Sequence, residues 1–148
     1  MIKWIYKPFS LLTPDEIYNI LQLRSDVFVV EQNCVYRDAD DKDQSSYHLC
    51  GWEDRQLVAY ARILPPELSY TEASIGRVLT NAAFRRKGSG KELMEKAIEH
   101  TLQQFEVNSI RIGAQLYLHK FYSDLGFTQT SDIYLEDGIE HIEMLYKK

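Results

Sequence analysis

Residues 73 to 105 read as a strand, a basic glycine-containing loop and a helix, and this unit constrains the fold more than any other feature. Over residues 73–80 apolar and polar positions alternate. Alternation puts Ile75, Arg77 and Leu79 on one face and Gly76, Val78 and Thr80 on the other. Leu93, Met94, Ala97, Ile98, Thr101, Leu102 and Phe105 then recur at helical spacing, the apolar stripe of a helix that packs on a sheet. Between them, Arg85-Arg86-Lys87-Gly88-Ser89-Gly90-Lys91 places four positive charges and two glycines in seven residues. A helix N-terminus presents N–H groups and partial positive charge, and glycine lets a ligand approach the backbone closely. Such a junction suits a phosphate or pyrophosphate. On residues alone, a solvated basic turn fits too. A Walker A loop is excluded because Gly90-Lys91 is followed by Glu92. The dinucleotide fingerprint GxGxxG fails because Leu93 stands at its third glycine.

The other elements follow from local signals. Residues 2 to 7 alternate like a strand. Thr13-Pro14-Asp15-Glu16 forms a capping box with Pro at the first helical position. A helix is therefore expected from residue 14 into the high twenties, with Ile17, Ile20, Leu21, Arg24 and Phe28 at helical spacing. Residues 33 to 46 are polar and acidic and read as a solvated loop. Residues 47–52 and 57–64 read as strands joined at Glu53-Asp54-Arg55, and Pro65-Pro66 stops the second. A strand at 109–114 precedes a short helix at 117–125 ending on Gly126. The segment 142–146 closes the sheet, with a further strand readable at 127–130. The order predicts a mixed α and β domain.

The chain has 148 residues, 45% hydrophobic and 26% charged. Residues 1–148 are expected to form a single domain that folds without metal or disulfide staples. The balance of 17 basic against 22 acidic residues, net −5, argues against a surface built for nucleic acid. No apolar run is long enough to span a bilayer. Cys34 and Cys50 lack zinc or redox spacing and read as reduced thiols in a cytoplasmic protein without a signal peptide. Asp38, Asp40, Asp41 and Asp43 fail the EF-hand pattern, since Lys42 stands at the third ligand position and no Gly follows. His48 and Cys50 form no zinc pattern, so no metal site is expected.

Five segments together resemble one family. Arg85-x-x-Gly88-x-Gly90, after a strand and opening a helix, is similar to the acetyl-CoA pyrophosphate loop of the GNAT N-acetyltransferase superfamily. Phe121-Tyr122-Ser123-Asp124-Leu125-Gly126-Phe127 resembles its FYxxxGF segment. Residues 24–32, Ile75-Gly76-Arg77-Val78 and residues 136–144 resemble the ElaA-like branch. The resemblance spans residues 24 to 144. It implies an α+β, three-layer fold, with a mixed, mostly antiparallel sheet flanked by helices on both faces. It implies acetyl-CoA as cosubstrate. Backbone of Val78, Leu79 and Thr80 would pair with the pantetheine arm, and amides from Arg86 through Lys87, Gly88, Ser89 and Gly90 to Lys91 would cradle the pyrophosphate. Arg85, Arg86 and Lys91 would add charge.

The implied reaction poses a proton problem. A primary amine has a reference pKa near 10.4, so offering it neutral at pH 7 costs about 4.6 kcal/mol. A carboxylate or water chain that takes the proton helps, and a phenol can donate to the departing thiolate. By position in the motif, Tyr122 is the expected acid, although it also fits a core aromatic or a CoA contact. Glu31, Glu72, Glu143 and His141 are candidate bases; the family's acceptor sites form near the end of the first helix, which places Glu31 foremost, as base or acceptor contact. Arg24 and Arg77 suit either an acidic acceptor or carboxylate partners. The expected activity is acetyl transfer to a primary amine, on a small molecule or a peptide, by direct attack in a ternary complex. The expected assembly is a monomer or homodimer, with neither nucleic acid nor membrane as partner. A non-catalytic acyl-CoA sensing module and a nucleotide-binding regulator are the alternatives.

Overall fold

A computed structural model describes residues 1–85 and 88–148. The first strand, β1 (Lys3–Pro8), leads to α1 (Pro14–Arg24). The capping box forms as expected: the Glu16 N–H donates to Thr13 Oγ1 at 3.1 Å and the Thr13 N–H donates to Glu16 Oε1 at 2.8 Å. The helix widens into a π-helical segment, Ser25–Glu31, a distortion common at functional sites. Strands β2 (Tyr47–Glu53) and β3 (Gln56–Leu64) form a hairpin. Its turn residues Asp54 and Arg55 both have positive φ, 49° and 69°, as a two-residue turn between twisted strands requires. Strand β4 (Ser74–Thr80) completes a sheet of order β1-β2-β3-β4, antiparallel throughout.

Helix α2 (Ser89–Phe105), strand β5 (Ser109–Gln115) and helix α3 (His119–Asp124) follow. Next come β6 (Phe127–Gln129), β7 (Tyr134–Glu136) and β8 (Ile139–Lys147). In this second sheet β8 pairs antiparallel with β5, β6 and β7. Strand β7 is short and half polar, so alternation did not reveal it. Its hairpin to β8 turns at Asp137 and Gly138, with φ 51° and 77°.

Two apolar clusters divide the molecule into layers. In the larger, the α2 stripe Leu93, Met94, Ala97 and Ile98 packs on Ala59, Ala61 and Ile75 of the first sheet. The same cluster reaches Ile110, Ile112, Ala114, Ile142 and Met144 of the second sheet, and Tyr122 of α3. In the smaller, Ile20 and Leu23 of α1 with Val27 cover Cys50, Leu57, Tyr60 and Leu79 on the opposite face of the first sheet. The fold is thus α+β with helices on both faces, as expected. One detail departs from strict alternation. Ile75 lies in the larger cluster and Leu79 in the smaller. The β3–β4 register shifts between Tyr60↔Leu79 and Arg62↔Gly76, and Arg77 adopts φ 51°. This bulge adds a residue to β4 and exchanges its faces, so Ile75, Arg77 and Leu79 do not share one.

Candidate active site

The two sheets meet at β4 and β5. These run parallel and are joined by the Ala73↔Ile110 bridge, where the Arg111 N–H donates to Ala73 O at 3.0 Å. Among the described residues this is the only bridge between the sheets, so the strands diverge beyond it. Counting along both strands from the bridge, with the extra β4 residue allowed for, sets Leu79 level with Gln115. There the β4 edge has lost its strand partner, and an edge with unpaired backbone groups accepts another extended chain. Of the residues expected to line it, Val78 is half-buried against the larger cluster and Leu79 is buried in the smaller. The Thr80 carbonyl accepts from Arg85 Nε at 3.2 Å.

Helix α2 opens on Gly88, which has φ 75° and no side-chain cap. Apart from its chain neighbours, no described residue lies within 4 Å of where its Cβ would stand. A side chain at Gly90 would meet the Phe121 ring at 3.9 Å; the glycine loop therefore abuts the FYxxxGF helix. Ser89 is buried and Lys91 exposed. Arg85 makes a two-pronged pair with Glu31, at 3.0 Å and 2.8 Å. Sequence reasoning assigned these two residues to different substrates, but the structure places them together. Arg86 and Lys87 lie outside the described residues.

Tyr122 is 6% exposed. Phe121 and Phe127 meet its ring edge-on, with centroids 5.1 Å and 5.8 Å away. Burial, with a smaller contribution from Tyr117, pushes its phenol well above the ordinary range. Its hydroxyl makes no hydrogen bond among the described residues. A buried phenol in this state holds its proton through neutral and mildly alkaline pH.

The second sheet has another face, turned away from α2. Arg111, Gly113 and Gln115 of β5 lie on it with His141 and Glu143 of β8, because Gly113 pairs with Glu143 and Gln115 with His141. The π-helical segment approaches here, since the side-chain amides of Gln32 and Gln115 bond each other at 3.4 Å and 3.3 Å. A Cβ at Gly113 would meet the hydroxyls of Tyr70 at 3.0 Å and Tyr134 at 3.1 Å, so both phenols rest on bare β5 backbone. The candidate bases differ in what occupies them. Arg111 holds both Glu72 oxygens at 2.9 Å and keeps that carboxyl below its usual range. Glu31 is held by Arg85. Glu143 lies 3.5 Å from Arg111. His141 Nδ1 is 2.8 Å from the Ile139 carbonyl, so that nitrogen carries the proton. Sequence reasoning missed Tyr70, Gly113, Gln115, Gln32 and Tyr134. Gly113 inside a strand was the available signal, because such a glycine marks close approach of another group.

Three of the four aspartates of the acidic loop are drawn out of solvent, contrary to expectation, while Asp41 is exposed. Arg24, wholly buried, donates to Asp38 at 2.8 Å and to Asp43 at 2.7 Å. Arg62 Nη1 reaches Asp40 at 2.7 Å and Asp43 at 2.9 Å. Arg77 binds Asp38 at 2.9 Å and Asp40 at 3.3 Å. His48 bridges the Tyr60 hydroxyl, at 2.7 Å, and the Asp43 carbonyl, at 3.0 Å. Three arginines from α1, β3 and β4 fold the loop onto the sheet, which a sequence cannot show because the partners lie 14 to 39 residues apart. Arg24 and Arg77 are therefore committed to carboxylates of the chain itself.

The site thus brings together a splayed β4–β5 pair, a glycine-capped helix terminus and a buried tyrosine on the adjoining helix. Residues 15–148 match the acetyltransferase (GNAT) domain model, and the chain belongs to the GNAT acetyltransferase family. It is 41% identical to the protein ElaA of Escherichia coli over 146 residues, 97% of this chain and 95% of that one. It is 42% identical to the UPF0039 protein sll0451 of Synechocystis, over 99% of this chain and 96% of that one. The crystal structure of Escherichia coli ElaA superposes with a TM-score of 0.94 at 40% identity, covering 99% of this chain and all of that one. An acyl-CoA N-acyltransferase from Pseudomonas aeruginosa gives 0.94 at 38% identity, with 99% of each chain covered.

Proposed function

We propose that the protein is an N-acetyltransferase that transfers the acetyl group of acetyl-CoA to a primary amine by direct attack in a ternary complex. The opening between β4 and β5, with the α2 terminus on one side and Tyr122 beside it, carries this reading. The backbone of Val78 to Thr80 would hold the pantetheine arm, and the first turn of α2 with Gly88 and Gly90 the pyrophosphate. Arg85 would trade Glu31 for that diphosphate, joined by Arg86, Lys87 and Lys91. The thioester supplies an activated acetyl group. The amine's C–N bond forms as the C–S bond breaks; Tyr122 holds a proton at Oη for the departing thiolate, and the ammonium proton passes to water or a carboxylate. Glu31, released by Arg85, is the candidate base or acceptor contact.

Calorimetry with acetyl-CoA, ATP and NADH tests the cosubstrate. Binding of acetyl-CoA alone is the expected result, and equal affinity for all three would overturn the assignment. Binding without transfer to any amine would favour the sensing module.

A further inference from the structure

Under the transferase reading, the chemistry of the acceptor is open, and the second sheet's outer face bears on it. Four carboxylates stand around that face, Glu67, Glu72, Glu136 and Glu143, against Arg111. Arg111 is itself taken up by Glu72, with Glu143 behind. The arginines that could greet an acidic acceptor from the first sheet and α1 are spent: Arg24, Arg62 and Arg77 on the aspartates and Arg85 on Glu31.

Two further observations point to a ligand. His141 is nine-tenths buried and stacks on Tyr134. Its Nδ1 proton goes to Ile139, and among the described residues its Nε2 makes no hydrogen bond and faces Glu136 Oε2 at 3.6 Å. The Tyr70 and Tyr134 hydroxyls sit over Gly113, where any side chain would crowd them. Phenol rings beside carboxylates attract cations. Burial and the negative field of Tyr134, Glu143 and Glu136 push the Tyr70 phenol up to about 12.

Register gives the reach. His141 faces Gln115, level with the splay where acetyl transfer would occur, whereas Gly113 and Arg111 lie two and four residues further along β5. At about 3.4 Å per residue, Glu143 opposite Gly113 stands roughly 7 Å and Glu72 on Arg111 roughly 14 Å from the reacting amine, while Glu136, 3.6 Å from His141, stands beside the splay itself. We infer that this face binds an acceptor with a second cationic group about 7 Å from the reacting amine, a linear di- or polyamine, with Glu143 as its charge partner and Tyr70 and Tyr134 as its walls. The inference rests on the transferase reading.

The test compares kcat/KM of the full chain, at saturating acetyl-CoA, for spermidine, n-butylamine and 4-aminobutyrate. Spermidine is expected to exceed n-butylamine about tenfold, the size of one or two charge contacts, with 4-aminobutyrate poorest. Glu143→Gln is expected to bring the spermidine-to-butylamine ratio toward one. Acetylation of 4-aminobutyrate as efficiently as spermidine would overturn the inference. So would a basic peptide as substrate with spermidine inert, or an unchanged ratio in Glu143→Gln. If acetyl-CoA binds and no amine is acetylated, the transferase reading fails on its own. Calorimetric titration of spermidine into the acetyl-CoA complex then decides the site: binding lost in Glu143→Gln supports it, and absence of binding overturns it.

Discussion

Tyr122 combines a raised phenol pKa with a hydroxyl that no described group engages, so its chemistry and its packing are separable. Tyr122→Phe keeps the ring contacts to Phe121 and Phe127. Turnover is expected to fall about 100-fold, within the range for a general acid, with acetyl-CoA affinity unchanged and stability altered by under ~1 kcal/mol. Unchanged turnover with an identified acceptor would remove Tyr122 from the reaction. Because burial raises its pKa, the protonated form persists above the ordinary phenol value of about 10. Turnover should therefore not decline on the alkaline side between about pH 7 and 9 through this residue. Gly113→Ala probes the opposite face. The new methyl pushes the two phenols aside, at a stability cost of about 1–3 kcal/mol, and should raise acceptor KM roughly tenfold while leaving acetyl-CoA affinity unchanged. Tyr122 was legible because a local motif carries it. Tyr70 and Tyr134 were not, because 64 residues separate two side chains that meet only when β5 lies between them.

The loop between α1 and β2 shows how an element takes its structure from distant partners. Four aspartates read as a solvated segment because no local pattern names their arginines. Folded, Asp43 serves Arg24 and Arg62 together. Asp43→Ala leaves two buried guanidinium groups with fewer acceptors and is expected to destabilise the protein by about 3–5 kcal/mol in urea unfolding. The acid response follows from the same group. The arginines hold Asp40 and Asp43 below their usual range despite burial. Their contribution is thus complete above the unfolded pKa of about 3.9 and lost as pH falls toward the lower folded values. Burial also lowers His48. The unfolded chain therefore takes up that proton first, and stability declines from about pH 6.5 downward. Urea midpoints across pH should show a shallow loss below about 6.5 and a steep one below about 4; a level curve down to pH 4 would deny His48 this part. The β4 bulge was illegible for a related reason. Alternation reports period, and Arg77 breaks the period only because its side chain reaches Asp38 and Asp40, which compensates the strain of a non-glycine residue at φ 51°.

At the scale of the molecule, the proposed cosubstrate half of the site was written in contiguous residues and the proposed acceptor half was not. A strand, Gly88, Gly90 and the α2 stripe stand in one run of sequence, and the FYxxxGF helix meets that run through Phe121 and Gly90. The acceptor face is assembled from the π-helical segment, the 67–72 loop, β5 and the β7–β8 hairpin, each contributing one or two side chains. Charge follows the same division. A net charge of −5 conceals a basic loop at the cosubstrate end and an acidic wall at the other. The central claim is acetyl transfer to an amine through this opening. Its most direct measurement pairs free-thiol release from acetyl-CoA with mass-spectrometric detection of the acetylated amine, in the wild type and in Tyr122→Phe. Thiol and amide are expected in equal amounts, both slowed together in the variant. Thiol release without an acetylated amine, or no release from a protein that binds acetyl-CoA tightly, would contradict it.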